Sequence, residues 1–365
     1  MGSCYGECGS LTPAGGYAYE ITFAPYNGVM DKELNSAGES PAHPFSTLDP
    51  SRVLDAVESV GLHGDGRLLA LNSYENRVYQ VGRDEGEPVV VKFYRPARWS
   101  DAAILEEHAF VAELVEREIP VVPAMTIEGR TLHEFDGFRF AVFPRRGGRA
   151  PELDNPDTLE WMGRFIGRIH AVGAIRPYML RPELNPITFG REPFDYLLKH
   201  DFVPHELRAT WASVVEQALA GVARCYERAG TLPVLRLHGD CHGGNVLWTG
   251  DGPHFVDFDD SRMGPAVQDL WMLLSGERQD MVRQMADVLA GYEDFCDFDP
   301  RQLYLVEALR TLRLIHYAGW LAMRWDDPAF PVAFPWFNTQ RYWQDRILEL
   351  REQVALMDEP PLWPV

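Results

Sequence analysis

The feature that most constrains this chain is a polar loop at residues 237–248, followed after a short gap by an apolar strand that ends in carboxylates. The loop carries Asp240 and, five positions later, Asn245, and the strand ends at Asp257. Phosphoryl transfer from ATP needs one carboxylate to orient the attacking hydroxyl. It also needs an amide oxygen and a second carboxylate to hold Mg²⁺ against the phosphates. Either segment alone is a weak signal, but together and in this order they predict a phosphoryl-transfer site.

The spacing His-x-Asp-x-x-x-x-Asn, which begins at His238, is the catalytic-loop pattern of protein kinases, with Gly239 in place of their arginine. Residues 256–259, Val-Asp-Phe-Asp, follow where those enzymes carry Asp-Phe-Gly. A plain glycine turn and a solvated strand end are the simplest alternatives. A zinc site on His238, Asp240 and His242 is another, which we disfavour because no further His or Cys cluster at ligand spacing completes a tetrahedral set.

Composition and charge narrow the class of protein. The 365 residues carry a net charge of −20, which disfavours a nucleic-acid or anionic-membrane partner. The five cysteines, Cys4, Cys8, Cys225, Cys241 and Cys296, are scattered without framework spacing, as in a reduced cytosolic chain. Because the sequence has neither a run of about eighteen apolar residues nor a signal peptide, no membrane partner is expected. We expect a cytoplasmic monomer.

Periodicity divides the chain into three parts. Residues 1–44 are rich in Gly, Ser, Pro and Ala and are expected to be a disordered lead, with Met30 as an alternative start to Met1. Residues 45–145 combine strand signals with two helices, which predicts a small antiparallel sheet with a helix packed on it. Residues 146–365 are mostly helical. The predicted fold class is α+β, with the two lobes of a protein-kinase-like fold. The predicted strands lie near 68–71, 77–81, 88–94, 131–135 and 138–143, and the predicted helices at 51–60, 101–117, from 157 onward, and at 207–228, 266–274 and 301–325.

Lys92 lies inside an apolar, β-branched strand run at residues 88–94. A lysine there can simply lay its stem on apolar surface at a sheet edge. The alternative, favoured by the catalytic-loop pattern, is an ammonium that clamps the α- and β-phosphates and is held by a glutamate of the next helix. Glu106 and Glu107 both lie on that helix, and we predict Glu107 as the partner because it is nearer the buried stripe.

Three further residues each allow two interpretations. The turn at 72–76 lacks the glycines that kinases place over the phosphates, so Ser73 either contacts phosphate with its hydroxyl or belongs to a plain hairpin. Asp269 starts a predicted helix and either balances its dipole or accepts N–H groups of the catalytic loop. Cys241 follows Asp240, and the neighbouring carboxylate is expected to raise the pKa of the Cys241 thiol. A space-filling role is therefore favoured over an oxidation switch.

The motif at 238–245 together with residues 256–259 resembles the aminoglycoside phosphotransferase and choline kinase group of kinase-like enzymes. Longer strings resemble a bacterial branch of that group, consisting of cytoplasmic Ser/Thr protein kinases that use ATP and Mg²⁺. These strings lie at 71–80, 91–96, 235–242, 264–274 and 327–331. The resemblance covers roughly 46–361 and omits the lead.

The resemblance implies a role for each matched residue. Asp240 is the catalytic acceptor, Asn245 and Asp257 are Mg²⁺ ligands, Ser73 lies in the ATP site and Lys92 holds phosphate. Glu107 matches only in type and place. The expected activity is phosphorylation of Ser/Thr in protein substrates. A small-molecule kinase acting on an aminoglycoside, choline or a homoserine-like hydroxyl stays open, because the catalytic core is shared. A nucleotide-binding pseudoenzyme is disfavoured by the intact motif.

Overall fold

The computed structural model describes residues 43–363, so the predicted lead lies, apart from its last two residues, outside the described residues. The first lobe contains helices α1 (Pro50–Glu58) and α2 (Asp101–Glu116). Its strands are β1 (Gly64–Leu71), β2 (Arg77–Arg83), β3 (Val89–Phe93), β4 (His133–Phe135) and β5 (Phe138–Pro144). The second lobe contains helices α3 (Pro156–Gly173), α4 (Glu192–Lys199), α5 (His205–Ala229), α6 (Val267–Trp271), α7 (Arg278–Tyr292), α8 (Val306–Ala322), α9 (Ala329–Ala333) and α10 (Gln340–Leu356). Its short strands are β6 (Leu235–Arg236), β7 (Val246–Thr249), β8 (Gly252–Phe255) and β9 (Met263–Gly264).

The five strands of the first lobe form one antiparallel sheet in the order β1-β2-β3-β5-β4. Strand β3 is the central strand, and four of its five residues are buried, so both of its faces are covered. Val91 and Phe93 belong to the core that includes α1, whereas the alternation of side chains turns Lys92 toward α2. Lys92 is paired with Ala141 of β5, which packs with Ile104 of α2. The predicted small sheet with a packed helix is confirmed.

Close contact between α3 and α7 shapes the second lobe. A Cβ atom at Gly163 of α3 would collide with the carbonyl oxygen of Val288, and one at Gly291 of α7 would collide with that of Glu160. The two helix backbones therefore meet directly, because both facing positions lack a side chain. Helices α5, α8 and α10 bury the rest of the apolar surface in two connected clusters.

The helix predicted at 301–325 is wrong at both ends. Residues Pro300–Leu305 form a 3₁₀ segment, and the α-helix begins only at Val306 and ends at Ala322. The Asp299 side chain accepts the backbone N–H of Arg301, and Pro300 follows it with no N–H to donate, which together favour a tight first turn. Helices α4, α7, α9 and α10 were not predicted. Between residues 43 and 363, no helix combines the length and apolarity needed to cross a bilayer.

Candidate active site

Asp269 of α6 fixes the loop at 237–242 by hydrogen bonds to its backbone. The Asp269 carboxylate accepts the backbone N–H groups of His238 at 2.7 Å and Gly239 at 2.9 Å, and lies 3.0 Å from His170 Nε2. Gly239 has a φ of 88° and its α-carbon faces the carbonyl of Asp260 so closely that a Cβ would collide with it. Only glycine fits here, which explains why the arginine of the protein-kinase pattern is missing.

His238 is a buried link between the two motif segments. Its Nε2 atom lies 2.9 Å from the carbonyl oxygen of Val256, and its ring packs on Phe258 with centroids 4.4 Å apart. The backbone N–H of Asp240 donates to His238 Nδ1 at 3.4 Å, so the ring proton is assigned to Nε2. Both nitrogens are thus used inside the protein, and His238 is not available as a zinc ligand or a proton carrier.

Asp240 is engaged on both carboxylate oxygens. Arg313 of α8 donates to Oδ1 at 2.8 Å, and Oδ2 lies 3.3 Å from Asn245 Nδ2 and 3.4 Å from His242 Nε2. Its side chain is 24% exposed. Burial raises the pKa of Asp240, but Arg313 and His242 outweigh burial and hold that pKa well below its usual range. Asp240 is therefore a carboxylate anion at neutral pH.

Asp257 ends its segment in a left-handed conformation, with φ at 60° and ψ at 64°. Its side chain is 49% exposed, and Oδ1 lies 2.6 Å from Lys92 Nζ. Asp259 is buried nearby, with Oδ1 at 4.0 Å from the same ammonium. Burial lowers the pKa of Lys92, yet Asp257, Asp259 and Glu107 raise it above its ordinary value. Lys92 thus stays charged although it is buried between the lobes.

Glu107 is 4% exposed and faces the same cluster from α2. Its nearest cation within 4 Å is Arg181, whose Nη2 lies 3.8 Å from Oε2, so the expected Lys92–Glu107 pair is not formed at salt-bridge distance. Burial raises the pKa of Glu107 to about 7, against the lowering effect of Arg181 and Lys92. Glu106 instead points outward and accepts the backbone N–H of Met179. Of the two glutamates, only Glu107 is near Lys92.

Ser73 lies in the β1–β2 turn, and its hydroxyl donates to the carbonyl of Asn76 at 3.2 Å. The Asn76 amide reaches across to Asp259 at 3.1 Å, and its oxygen accepts the N–H of Arg95 at 3.0 Å. The turn that sequence analysis placed over the nucleotide is therefore fixed by side chains, in contrast to a glycine-rich loop.

A set of residues that we call the interlobe clasp ties this turn to the second lobe: Glu75, Arg77, Arg95, Trp320, Arg324 and Asp327. Asp327 is buried and accepts Arg95 Nη2 at 2.8 Å and Arg77 Nη2 at 3.1 Å. Trp320 Nε1 donates to Glu75 Oε2 at 2.6 Å, and Arg324 Nε lies 2.6 Å from the same oxygen. Both lobes are thus joined by buried charge pairs.

Cys241 is buried directly after Asp240. Burial raises the pKa of its thiol well above the ordinary value, and the negative charges of Asp269 and Asp240 raise it further. A buried thiol of high pKa is unreactive. This environment fits a space-filling role and not an oxidation switch.

The oxygen donors present suit Mg²⁺. The backbone N–H of Val256 donates to the carbonyl oxygen of Asn245 at 3.0 Å. Since Val256 directly precedes Asp257, this bond brings Asn245 next to the segment that carries Asp257. Oδ1 of buried Asp259, which faces Lys92, accepts no hydrogen bond. Among residues 43–363 no group of three or more His, Cys, Asp and Glu could hold a metal by itself. Mg²⁺ does not need one, because it is usually held by one or two carboxylates together with substrate phosphates.

Sequence analysis did not identify three arginine side chains that pair with residues of the site. Arg313 holds Asp240, Arg98 pairs with Asp259 and Asp260, and Arg181 donates to the carbonyls of Asp259 and Ser261. Each arginine lies more than 70 positions from its partner in the chain, so no short sequence motif contains both residues. Among the predicted residues, Lys92, Glu107 and Asp257 come together, as do Asp240 and Asn245, whereas Ser73 bonds within its own turn.

Comparison with known proteins decides the family. The model of the phosphotransferase enzyme family matches residues 67–306. The chain belongs to this family. The Escherichia coli protein named stress response kinase A is 44% identical over 321 residues, which cover 88% of this chain and 97% of that protein. The Salmonella typhimurium protein named serine/threonine protein kinase RdoA is 43% identical over the same coverage. The predicted resemblance and the kinase class of enzyme are confirmed.

A solved structure supports the fold. An amicoumacin kinase in complex with AMP-PNP and Ca²⁺ matches with a TM-score of 0.67, covering 87% of this chain and 95% of its own. At 19% identity this likeness shows the fold alone. The α+β, two-lobed architecture is thereby confirmed.

Proposed function

We propose that this protein is an ATP- and Mg²⁺-dependent Ser/Thr protein kinase. The observation that carries the proposal is the carboxylate of Asp240, which lies on a fixed loop beside Asn245, together with the ion pair between Asp257 of the second motif segment and Lys92 of β3. Such a set provides an acceptor for a hydroxyl hydrogen bond, oxygen ligands for a divalent cation and an ammonium for phosphates. The relatives named stress response kinase A and serine/threonine protein kinase support a protein acceptor.

Each residue has one role in this proposal. Asp240 orients the acceptor hydroxyl and takes its proton, while Asn245 and Asp257 hold Mg²⁺. When bound, Mg²⁺ neutralises charge on the phosphates. Lys92 contacts phosphate oxygens, and Ser73 belongs to the turn above the nucleotide.

Glu107 lies near Lys92, where its charge, in the ionised form, favours the ammonium form of that lysine. Since its carboxylate is closer to Arg181 than to Lys92 in this structure, we assign it to the electrostatic surroundings of Lys92.

The proposal includes the wider setting. The nucleotide-binding lobe is residues 45–145 and the catalytic lobe residues 146–365. The partner is a protein with accessible Ser or Thr, and the kinase acts as a cytoplasmic monomer.

Labelled ATP with Mg²⁺ tests the proposal, using casein-type proteins as acceptors in one arm and aminoglycosides and choline in the other. Label in protein that is lost in Asp240→Ala supports a protein kinase. Label only in the small molecules would instead establish a small-molecule kinase. Equal labelling by wild type and Asp240→Ala would reject the assignment of Asp240.

A further inference from the structure

Arg313 is placed differently from the other arginines near the site. Arg262 pairs with Asp260 at 2.6 Å, and Arg310, one turn before Arg313 on α8, pairs with Glu307 at 3.2 Å. For Arg313, the one carboxylate within 4 Å among the described residues is Asp240. Its partner is thus the carboxylate that the proposed function assigns to the acceptor hydroxyl.

Most of the Arg313 guanidinium is unused by the protein. One hydrogen bond, from Nη1 to Asp240, is found for its side chain within residues 43–363. A guanidinium has five N–H donors in a planar fork, and this side chain is 42% exposed. The remaining donors are not used by the described residues, and the planar fork they form suits a carboxylate or phosphate.

Neither stability nor base strength explains this placement. Ion pairs with this much exposure contribute about 0–1 kcal/mol to folding. A cation beside Asp240 also makes the carboxylate a weaker base, which is unfavourable for a group that must accept a proton. A cation that meets developing negative charge, in contrast, lowers the barrier of phosphoryl transfer directly.

We propose that Arg313 binds an oxyanion beside Asp240 during phosphoryl transfer. The proposal rests on the role proposed above for Asp240. The oxyanion has two possible sources, the transferring phosphoryl group or an acidic group next to the acceptor hydroxyl. Both sources present anionic oxygens to the guanidinium, and the experiments below distinguish the two sources.

The chemical step conserves atoms and charge without a further reactant. The acceptor oxygen forms a bond to the γ-phosphorus, while the bond from that phosphorus to the β–γ bridging oxygen breaks. ADP leaves with the electron pair of the broken bond, and the hydroxyl proton passes to Asp240. Arg313 stays protonated throughout, because arginine does not lose its proton in proteins.

The net charge of −20 does not oppose this role. At physiological ionic strength, charges farther apart than about 8 Å are largely screened. An anion at Arg313 is thus governed by groups in direct contact with it and only weakly by the distant surface.

Kinetics of Arg313→Gln and Arg313→Lys test the proposal, with Arg310→Gln as the matched control on the same helix. The acceptors are a serine peptide flanked by aspartate, the same peptide flanked by asparagine, and water in basal ATP hydrolysis. If the phosphoryl group is the source, Arg313→Gln should lower kcat about 10²–10³-fold with all three acceptors. If the acceptor is the source, the loss should appear as a raised KM for the aspartate peptide alone. In either case Arg313→Lys should recover part of the loss.

Binding provides a second readout that needs no turnover. ADP with aluminium fluoride mimics the transferring phosphoryl group, and it should raise the Tm of wild type above the value with ADP alone. Arg313→Gln should lose that increment if the phosphoryl group is the source. Fluorescence anisotropy of the two peptides with serine replaced by alanine measures the acceptor arm in the same way.

Arg313→Gln within about twofold of wild type in all kinetic and binding arms would overturn the proposal, as would an equal loss in Arg310→Gln. Full turnover in Asp240→Asn would reject the proposed function instead, and the aluminium fluoride and anisotropy arms would still decide whether Arg313 binds an oxyanion.

Discussion

At the scale of single residues, Asp240 is paired with cations and is also partly exposed to the cleft. Asp240→Ala should lower turnover about 10²–10⁴-fold, because it removes the group that we propose to orient and deprotonate the acceptor. Unfolding in urea should change by less than about 1 kcal/mol, since the pair with Arg313 is partly exposed. Asp251→Asn, in the exposed turn between β7 and β8, is the control and should be silent in both assays.

Asp257 is expected to respond to metal concentration. Asp257→Asn keeps the size of the side chain but removes its formal charge, which weakens a charged interaction by about 1.5–3 kcal/mol. The Mg²⁺ concentration that gives half-maximal activity should therefore rise about 10- to 100-fold. An unchanged Mg²⁺ titration would remove Asp257 from the ligand set.

Glu107 predicts a pH dependence of stability. Its pKa is raised from 4.5 to about 7 in the folded protein, so the native state holds this proton where the unfolded chain has released it. Stability from this group is complete below pH about 4.5 and falls by about 3 kcal/mol as pH rises to 7. Glu107→Gln should match wild type at pH 4.5 and exceed it at pH 7.5 in urea unfolding.

His108 has the opposite effect, because burial lowers its pKa to about 4 and stability from this group rises with pH between about 4 and 6.5. The wild-type profile alone is therefore not diagnostic, and the difference between wild type and Glu107→Gln is the quantity to measure. Parallel profiles of the two proteins would contradict the raised pKa of Glu107.

Sequence reasoning works at this scale where partners are close in the chain. Asp240 and Asn245 are five residues apart, and the structure brings them within 3.3 Å. Arg313 follows Asp240 by 73 positions and looks like any other polar residue of an amphipathic helix. Nothing in the sequence separates it from Arg310, because what differs is the tertiary partner.

At the scale of elements, helix α6 both packs in the core and holds the loop at 237–242. It is five residues long, and Asp269 in it accepts two N–H groups of that loop. Asp269→Asn should destabilise the protein by about 3 kcal/mol or more, since buried bonds to a charged acceptor are broken. Turnover should fall as well, because the loop loses its support. Asp299→Asn, at the half-buried start of the 3₁₀ segment, should change stability by no more than about 0.5 kcal/mol.

The strands of the first lobe were predicted more completely than the helices of the second lobe, for a physical reason. Short β-branched runs such as Val89–Phe93 carry a strong local preference, so the sheet could be read from the sequence. Helix α7 was missed because its buried residues are interrupted by charged ones and by Gly291, whose function is contact with α3. Tertiary packing, which local patterns do not report, stabilises that helix.

At the scale of the whole molecule, we expect the interlobe clasp to couple nucleotide exchange to the C-terminal part of the chain. Asp327→Asn removes the charge that holds Arg77 and Arg95, so the β1–β2 turn should open more easily. Release of a fluorescent ADP analogue in stopped flow should become at least about fivefold faster. Asp326→Asn changes the exposed neighbour and should release the analogue at the wild-type rate. Identical rates for all three proteins would show that the clasp does not control exchange.

The clasp also determines when the site can be completed during synthesis. Arg77 and Asp327 are 250 positions apart, and Glu75 and Trp320 are 245 apart. Because a chain leaves the ribosome from its N-terminus, Lys92 and the catalytic loop emerge well before Asp327. The β1–β2 turn can then already bond Asp259 through Asn76, but it lacks its anchors at Trp320, Arg324 and Asp327 until nearly the whole chain has been made. A nascent chain that stops short of residue 320 already carries every motif of the candidate site, yet it lacks the clasp residues of the second lobe.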